Sequence, residues 1–339
     1  MELTMALTMS LALLVLSAAY VLVALRRSRS SSSKPRRLPP SPPGWPVIGH
    51  LHLMSGMPHH ALAELARTMR APLFRMRLGS VPAVVISKPD LARAALTTND
   101  AALASRPHLL SGQFLSFGCS DDMFVAGTDT TFATLEWVMT ELVRHPRILK
   151  KAQEEVRRVV GDSGRVEESH LGELHYMRAI IKETFRLHPA VPLLVPRESV
   201  APCTLGGYDI PARTRVFINT FAMGRDPEIW DNPLEYSPER FESAGGGGEI
   251  DLKDPDYKLL PFGGGRRGCP GYTFALATVQ VSLASLLYHF EWALPAGVRA
   301  EDVNLDETFG LATRKKEPLF VAVRKSEAYE FKGEELSEV

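Results

Sequence analysis

The sequence predicts a mainly α, α+β body behind an N-terminal transmembrane helix. Three observations predict it. Residues 3–25 form a 23-residue run without a charged side chain. The chain from residue 123 is strongly helical in its apolar spacing. The strand-like segments are short and scattered, with no repeating strand–helix–strand pattern.

The first element is the uncharged run, centred on "LALLVLSAAYVLVAL". A helix of that length rises about 1.5 Å per residue and can cross a ~30 Å hydrocarbon core. Arg26, Arg27, Arg29, Lys34, Arg36 and Arg37 follow it, whereas Glu2 is the only charged side chain before it. The positive-inside bias then puts the rest of the chain in the cytosol. A cleaved signal peptide is the competing reading. It fits less well, because the run is long, its basic flank lies on the far side, and no small-x-small cleavage site follows.

"SSSSKPRRLPPSPPGWPVIGH" comes next. Its serines read as flexible linker and its prolines, 39 to 46, as a stiff spacer or a plain disordered linker. A helix is expected near 58–69, then strands "LFRMRLG" and "PAVVIS" about a Gly-Ser turn, then a helix over 89–98. "SRPHLLSGQFLSFGCSDD" reads as loop. Three helices follow, in "MFVAGTDTTFATLEWVMTELVRHP", "RILKKAQEEVRRVVG" and "HLGELHYMRAIIKETFRLHP", with Pro146 and Pro189 ending the first and third. "TLGGYDI" and "TRVFINT" read as strands. Residues 226–261 are irregular and include a "GGGG" tract read as solvent loop. A helix over 271–289 and a strand near 319–323 complete the chain.

Composition bounds the function. With 39 basic and 39 acidic residues the net charge is zero, so nothing in the balance recommends nucleic acid as a partner. Hydrophobic residues make up 45%, enough for a folded core. Cys119, Cys203 and Cys269 are too few and too scattered for a disulfide framework.

Cys269 lies in "PFGGGRRGCPGYTFALATVQ". Gly263, Gly265 and Gly268 there satisfy G-x-G-x-x-G, with Glu291 about 20 residues on. The dinucleotide reading fails, because no buried strand leads in and no βαβ unit surrounds the loop. Another reading uses every residue. Phe262, Gly265, Arg267, Cys269 and Gly271 form F-x-x-G-x-R-x-C-x-G. A thiolate that ligates a metal or heme iron needs shielding, backbone N–H groups and positive potential. A glycine loop feeding a helix N-terminus supplies the N–H groups and the dipole. Zinc fits poorly, since no Cys-x-x-Cys or paired histidines lie near Cys269. A lone cysteine is ordinarily a buried small hydrophobe; five specified positions in ten residues reverse that expectation.

At these residues the sequence resembles the cytochrome P450 family, in its plant microsomal branch; "WPVIGH" after the proline tract adds to that likeness. The resemblance implies heme b (iron protoporphyrin IX) with Cys269 as axial iron ligand, Arg267 on a propionate, and Phe262 packed by the thiolate. Three further motifs agree. "ETFR" supplies Glu183 and Arg186, and "PERF" supplies Arg240; the family pattern implies a buried charge cluster of the three. "AGTDTT" implies that Asp129 and Thr130 deliver protons to iron-bound dioxygen, with Thr131 structural. "LLVPRES" implies a pocket-lining segment whose Arg197 reaches a propionate. Read from the residues alone, these are a surface ion pair, a solvated helix face and an arginine ending an apolar strand.

The implied protein is a heme-thiolate monooxygenase acting on a small aromatic or apolar substrate. NADPH-cytochrome P450 reductase would supply the electrons. It would be a single-pass protein of the endoplasmic reticulum membrane with a cytosolic catalytic body. A basic surface including Arg266 would dock the reductase. The divisions expected are 1–25 anchor, 26–46 basic and proline-rich linker, 47–121 N-terminal part of the body, and 122–339 oxygen-binding helix and heme-thiolate core. A heme-thiolate isomerase or dehydratase is a third possibility, disfavoured by Asp129 and Thr130.

The chain also departs from the family. "SFGCSD" runs straight into "DMFVAG", where about 170 residues are expected on the family's usual size. The tryptophan-and-arginine helix that grips the propionates has no counterpart among Trp45, Trp137, Trp230 and Trp292. Loss of the roof of the pocket exposes apolar surface and admits water. The competing reading is therefore a truncated, non-catalytic form that binds heme weakly or not at all.

Overall fold

The computed structural model describes Ser17 and residues 37–107, 123–242, 256–310 and 312–326. Contacts separate residues 1–38 from a body that begins at Pro39. The expected anchor, the segment where the central helices are lacking, and the glycine tract lie outside the described residues. Among the described residues no helix is long and apolar enough to cross a membrane.

The N-terminal part of the body comprises α1 (Pro58–Thr68), β1 (Leu73–Leu78), β2 (Val81–Ile86), α2 (Pro89–Leu96) and α3 (Asp100–Leu103). Proline in the first turn of α1 and of α2 removes an N–H that would be orphaned there anyway. The helical core follows: α4 (Met123–Arg144), α5 (Pro146–Val160) and α6 (His175–Leu187). Then come β3 (Arg197–Glu198), β4 (Cys203–Leu205), β5 (Tyr208–Ile210), β6 (Arg215–Ile218) and α7 (Thr220–Gly224). Last are α8 (Tyr272–His289), β7 (Phe290–Ala293), β8 (Glu307–Thr308), β9 (Arg314–Lys315) and β10 (Ala322–Lys325).

One four-stranded sheet has the order β1-β2-β6-β3. β2 pairs with β1 antiparallel and with β6 parallel, across more than 120 intervening residues by register Ala83↔Arg215. That parallel pair joins the two halves of the chain. "TLGGYDI" is a hairpin rather than one strand: Gly206 and Gly207 take φ of +56° and +78°, as a two-residue turn of the I′ type needs. The last strand lies a little later than its sequence suggests, because Ala322–Lys325 pairs with β7 directly after α8.

The main core lies between α4, α5, α6 and α8. In α5 the residues Ile148, Ala152, Val156 and Val160 recur every four positions and are buried together. They meet Ile180, Ile181, Leu283 and Leu287. α8 is apolar on all sides, a composition that calls for burial all round. Its second half has that burial; its first turn does not.

The proline tract is not a free spacer throughout. Backbone N–H of Arg75 donates to the Pro40 carbonyl at 2.8 Å, Arg75 Nε donates to Pro39, and His50 Nε2 lies 2.9 Å from the Pro42 carbonyl. Residues 39–42 are thus bonded to the body through β1 and His50.

A second long-range tie joins α1 to β8. The Oε2 of Glu307 receives His59 Nε2 at 2.7 Å and His60 Nε2 at 2.9 Å. Burial pushes the Glu307 carboxyl up, but the two histidine bonds outweigh it and hold the carboxyl down at about 2. The folded pKa is below the unfolded one, so the stabilisation is complete above about pH 4.5 and is lost as pH falls toward 2. At about 1.4 kcal/mol per unit the tie contributes on the order of 3 kcal/mol near neutrality. Glu307→Gln is expected to lower the urea midpoint at pH 7, with the difference from the parent chain shrinking between pH 4.5 and pH 2.

Candidate active site: a cysteine loop at a helix N-terminus

The loop between Leu260 and α8 is set by backbone bonds. Cys269 N–H donates to the Phe262 carbonyl at 2.9 Å, and Gly268 N–H donates to the Gly265 carbonyl at 3.1 Å. Gly263 and Gly265 have φ of +68° and +64°, which favours glycine. A Cβ at Gly265 would stand 2.5 Å from the Leu96 carbonyl oxygen and 2.6 Å from Asp100 Oδ1. The glycine spacing that satisfies G-x-G-x-x-G is a backbone packed against α2 and α3, in keeping with the rejection of the dinucleotide reading.

Cys269 is exposed and lies two residues before Gly271, the N-cap of α8. No side chain caps that helix, so its first-turn N–H groups and its positive dipole end remain available beside the sulfur. Phe262 packs between Phe185 and Tyr272, with ring centroids at 5.5 and 6.4 Å. It fixes one side of the loop to α6 and the other to α8.

The arginines stand in known company. Arg267 is exposed and donates from Nε to the Ala104 carbonyl at 2.9 Å. Arg197 is buried and pairs with Asp100 Oδ1 at 3.0 Å, while its other NH group donates to the Gly264 carbonyl. Desolvation lowers its pKa, against the opposing pull of Asp100. Sequence reading missed Asp100 altogether; its only signal was an acid in the helical stretch before "ASRP".

On α4, Thr130 Oγ donates to the Ala126 carbonyl at 2.6 Å and Thr131 Oγ to the Gly127 carbonyl at 2.7 Å. Such back-bonding weakens the helix ladder at that turn. Asp129 lies 3.7 Å from Arg314 of β9. Ala126, Gly127 and Thr128 are exposed, and a Cβ on Gly127 would meet nothing within 4 Å. This turn therefore faces open space.

Glu183 and Arg186 come together away from solvent, with Arg240 half-buried at their edge. Arg186 makes a bidentate pair with Glu183, 2.7 Å on both arms, and Arg240 Nε reaches Glu183 Oε1 at 3.1 Å. The spare Arg186 donors go to the carbonyls of Gly224, Pro233 and Glu235. A second buried acid, Glu141 of α4, was not singled out from sequence. It binds His188 at 2.7 Å and Arg144 at 2.8 Å, and His188 stacks on Trp137 at 4.0 Å.

The residues present fit a thiolate-ligated porphyrin. One exposed thiol stands at an uncapped helix start, cationic side chains flank it, and apolar groups are uncovered on α8, on α4 and in the loop before β3. Phe274 is 79% exposed, Phe132 53% and Val195 44%. An apolar disc with two carboxylates matches that mixture of surface; a hydrated metal ion does not.

The comparisons with known proteins agree with this geometry. A profile for "Cytochrome P450" matches residues 39–115 and 117–321, so the chain belongs to the cytochrome P450 family. By family and motif it is a P450 monooxygenase. Tryptamine 5-hydroxylase of Oryza sativa subsp. japonica is 64% identical over 523 aligned positions that cover 100% of both chains. That amounts to about 335 identities against a chain of 339 residues, with about 184 positions of the rice protein lacking a counterpart here. The interruption of the family profile at Ser116 falls a few residues before the break expected from sequence. Cytochrome P450 71A1 of Persea americana is 52% identical over 204 residues, 60% of this chain and 40% of that one. The chain thus spans two fifths of that relative's length. A zebra fish cytochrome P450 structure with abiraterone superposes with a TM-score of 0.70 over 80% of this chain and 99% of that chain, at 18% identity. That likeness speaks for the fold alone.

Proposed function

We propose that the chain encodes the heme-thiolate half of a hydroxylase for a small aromatic amine, tryptamine being the first candidate substrate and serotonin its product. The observation that carries this is the Cys269 loop at the start of α8, in a sequence almost every residue of which has an identical counterpart in the rice tryptamine 5-hydroxylase. Heme, when bound, supplies the activation of dioxygen by electrons from NADPH-cytochrome P450 reductase. Cys269 would hold the iron, Arg267 would neutralise a propionate, and Phe262 would shield the sulfur side. Arg197, already paired with Asp100, would reach a propionate across that pair. Thr130 keeps its oxygen lone pairs as acceptors while donating to Ala126, and Asp129 stands beside it as a carboxylate held near Arg314. Together they form the proton-handling face of α4. The 3–25 run with its basic flank supports an endoplasmic reticulum membrane location, body in the cytosol. Exposed Arg266 supports a basic docking face for the acidic reductase.

A second reading concerns the 339-residue chain itself. The exposed Cys269, Phe274 and Phe132 mark a site without its roof. A site open to water loses the exclusion that protects reactive oxygen species on the way to product. The chain as it stands therefore retains the heme-binding half and lacks productive turnover. The test is product formation from tryptamine in microsomes with reductase and NADPH. Measurement compares this chain with one in which the block of about 184 positions from the rice relative is restored. Serotonin from the restored chain and none from the short one is expected. Absence of serotonin from the restored chain would dismiss the substrate; equal turnover by both would dismiss the second reading.

A further inference from the structure

We propose that Asp100 is the positioning residue of the cysteine loop: one buried carboxylate that fixes the loop backbone, Arg197 and Arg266 together. The inference rests on the reading of that loop as the heme site. Asp100 opens α3, and its side chain is 8% exposed. Oδ1 receives Arg197 at 3.0 Å. Oδ2 receives the backbone N–H of Arg266 at 3.1 Å and its Nε at 3.3 Å. Arg197 passes the constraint on by donating to the Gly264 carbonyl. The carboxylate also packs so closely on Gly265 that a Cβ there would lie 2.6 Å from Oδ1.

The consequences follow from charge and geometry. Arg197 and the loop arginines are like charges brought close; desolvation is the main cause that depresses the Arg197 pKa, and the Arg267 charge adds to it. One anion placed among them offsets that repulsion and leaves Arg267 exposed and free of an acidic partner among the described residues. Asp100 also orients donors by charge-assisted bonds, which are shorter and stronger than neutral ones. The loop is thereby held in its cysteine-presenting form by a residue about 170 positions earlier in the chain. Asp100 is no ligand and touches no reacting atom; it acts through the loop and through Arg197.

Two readouts test this on the full 339-residue chain. Amide hydrogen exchange is measured at Arg266, Gly268 and Cys269, with the α5 and α6 core amides as internal control, and hemin affinity is measured by titration. Asp100→Ala is expected to speed exchange at Arg266 at least ten-fold, leave the core amides unchanged, and weaken hemin binding at least ten-fold. Asp100→Asn keeps an acceptor for the Arg266 N–H but loses the charge on Arg197. It is expected to change exchange little while still weakening hemin several-fold, and it also serves if the alanine variant fails to fold. Unchanged exchange in Asp100→Ala overturns the proposal. So does accelerated exchange with parental hemin affinity, because the carboxylate would then be only structural. A parent chain that binds no hemin would overturn the heme reading instead, and the exchange rates alone would then decide whether Asp100 holds the loop.

Discussion

Glu183→Ala is expected to destabilise the chain by about 3–5 kcal/mol, because it strands the buried Arg186 cation and takes from the half-buried Arg240 its acid. Arg186 is 1% exposed and Glu183 0%. Without Glu183, Arg186 keeps three carbonyl acceptors but has no countercharge, and Arg240 loses its only side-chain acid contact among the described residues. The Ser237 N–H, now 2.8 Å from Glu183 Oε1, is orphaned as well. A loss of that size takes a large fraction of the 5–15 kcal/mol that holds an ordinary domain together. Arg186→Leu alone should cost less, because Glu183 keeps Arg240 Nε at 3.1 Å and the Ser237 N–H at 2.8 Å as partners. The double variant Glu183→Met with Arg186→Leu should cost clearly less than the two single changes added, since it removes both desolvated charges at once. Urea unfolding of the four proteins measures the coupling. A double variant as damaging as the sum would mean that the pair acts only through the surrounding carbonyls.

The residues of this cluster were legible for a specific reason. Glu183 and Arg186 sit i, i+3 on one helical face, so the first pair is visible in the sequence. Its burial was not visible from spacing, because an exposed pair has the same letters; only the resemblance to a family implied it. The cysteine loop was legible for the opposite reason, since five constrained positions in ten residues leave few alternatives. Asp100 was invisible because its partners lie about 100 and 170 residues away, and no local pattern records such pairings. The same holds for Glu307, which meets His59 and His60 across nearly 250 residues. Helices α4, α5 and α8 were read near their observed bounds from their period, with a proline stop for α4, whereas α6 begins at His175, after a separate 3-10 turn over Glu168–Glu173 that the sequence reading ran into it. The hairpin in "TLGGYDI" was missed as a hairpin, although its two adjacent glycines are the turn signal. The proline tract was read as spacer because a proline carbonyl's acceptor role is not written in composition.

Cys269 carries the account's central claim, that the short chain keeps a built thiolate site while the cover over it is lacking. Its N–H is tied to Phe262, Gly263 and Gly265 before it take positive φ, and two residues on stands the N-cap of a helix that no side chain caps. None of those features depends on the segment lacking near Ser116. The direct measurement is a carbon monoxide difference spectrum of the reduced chain in microsomes, beside Cys269→Ser. The expected result is a red-shifted thiolate-type band in the parent chain, weaker than in a chain with the central block restored, and abolished by the serine substitution. A parent spectrum without that band, while the restored chain shows it, would contradict the claim: the loop geometry would then not suffice to hold heme through Cys269.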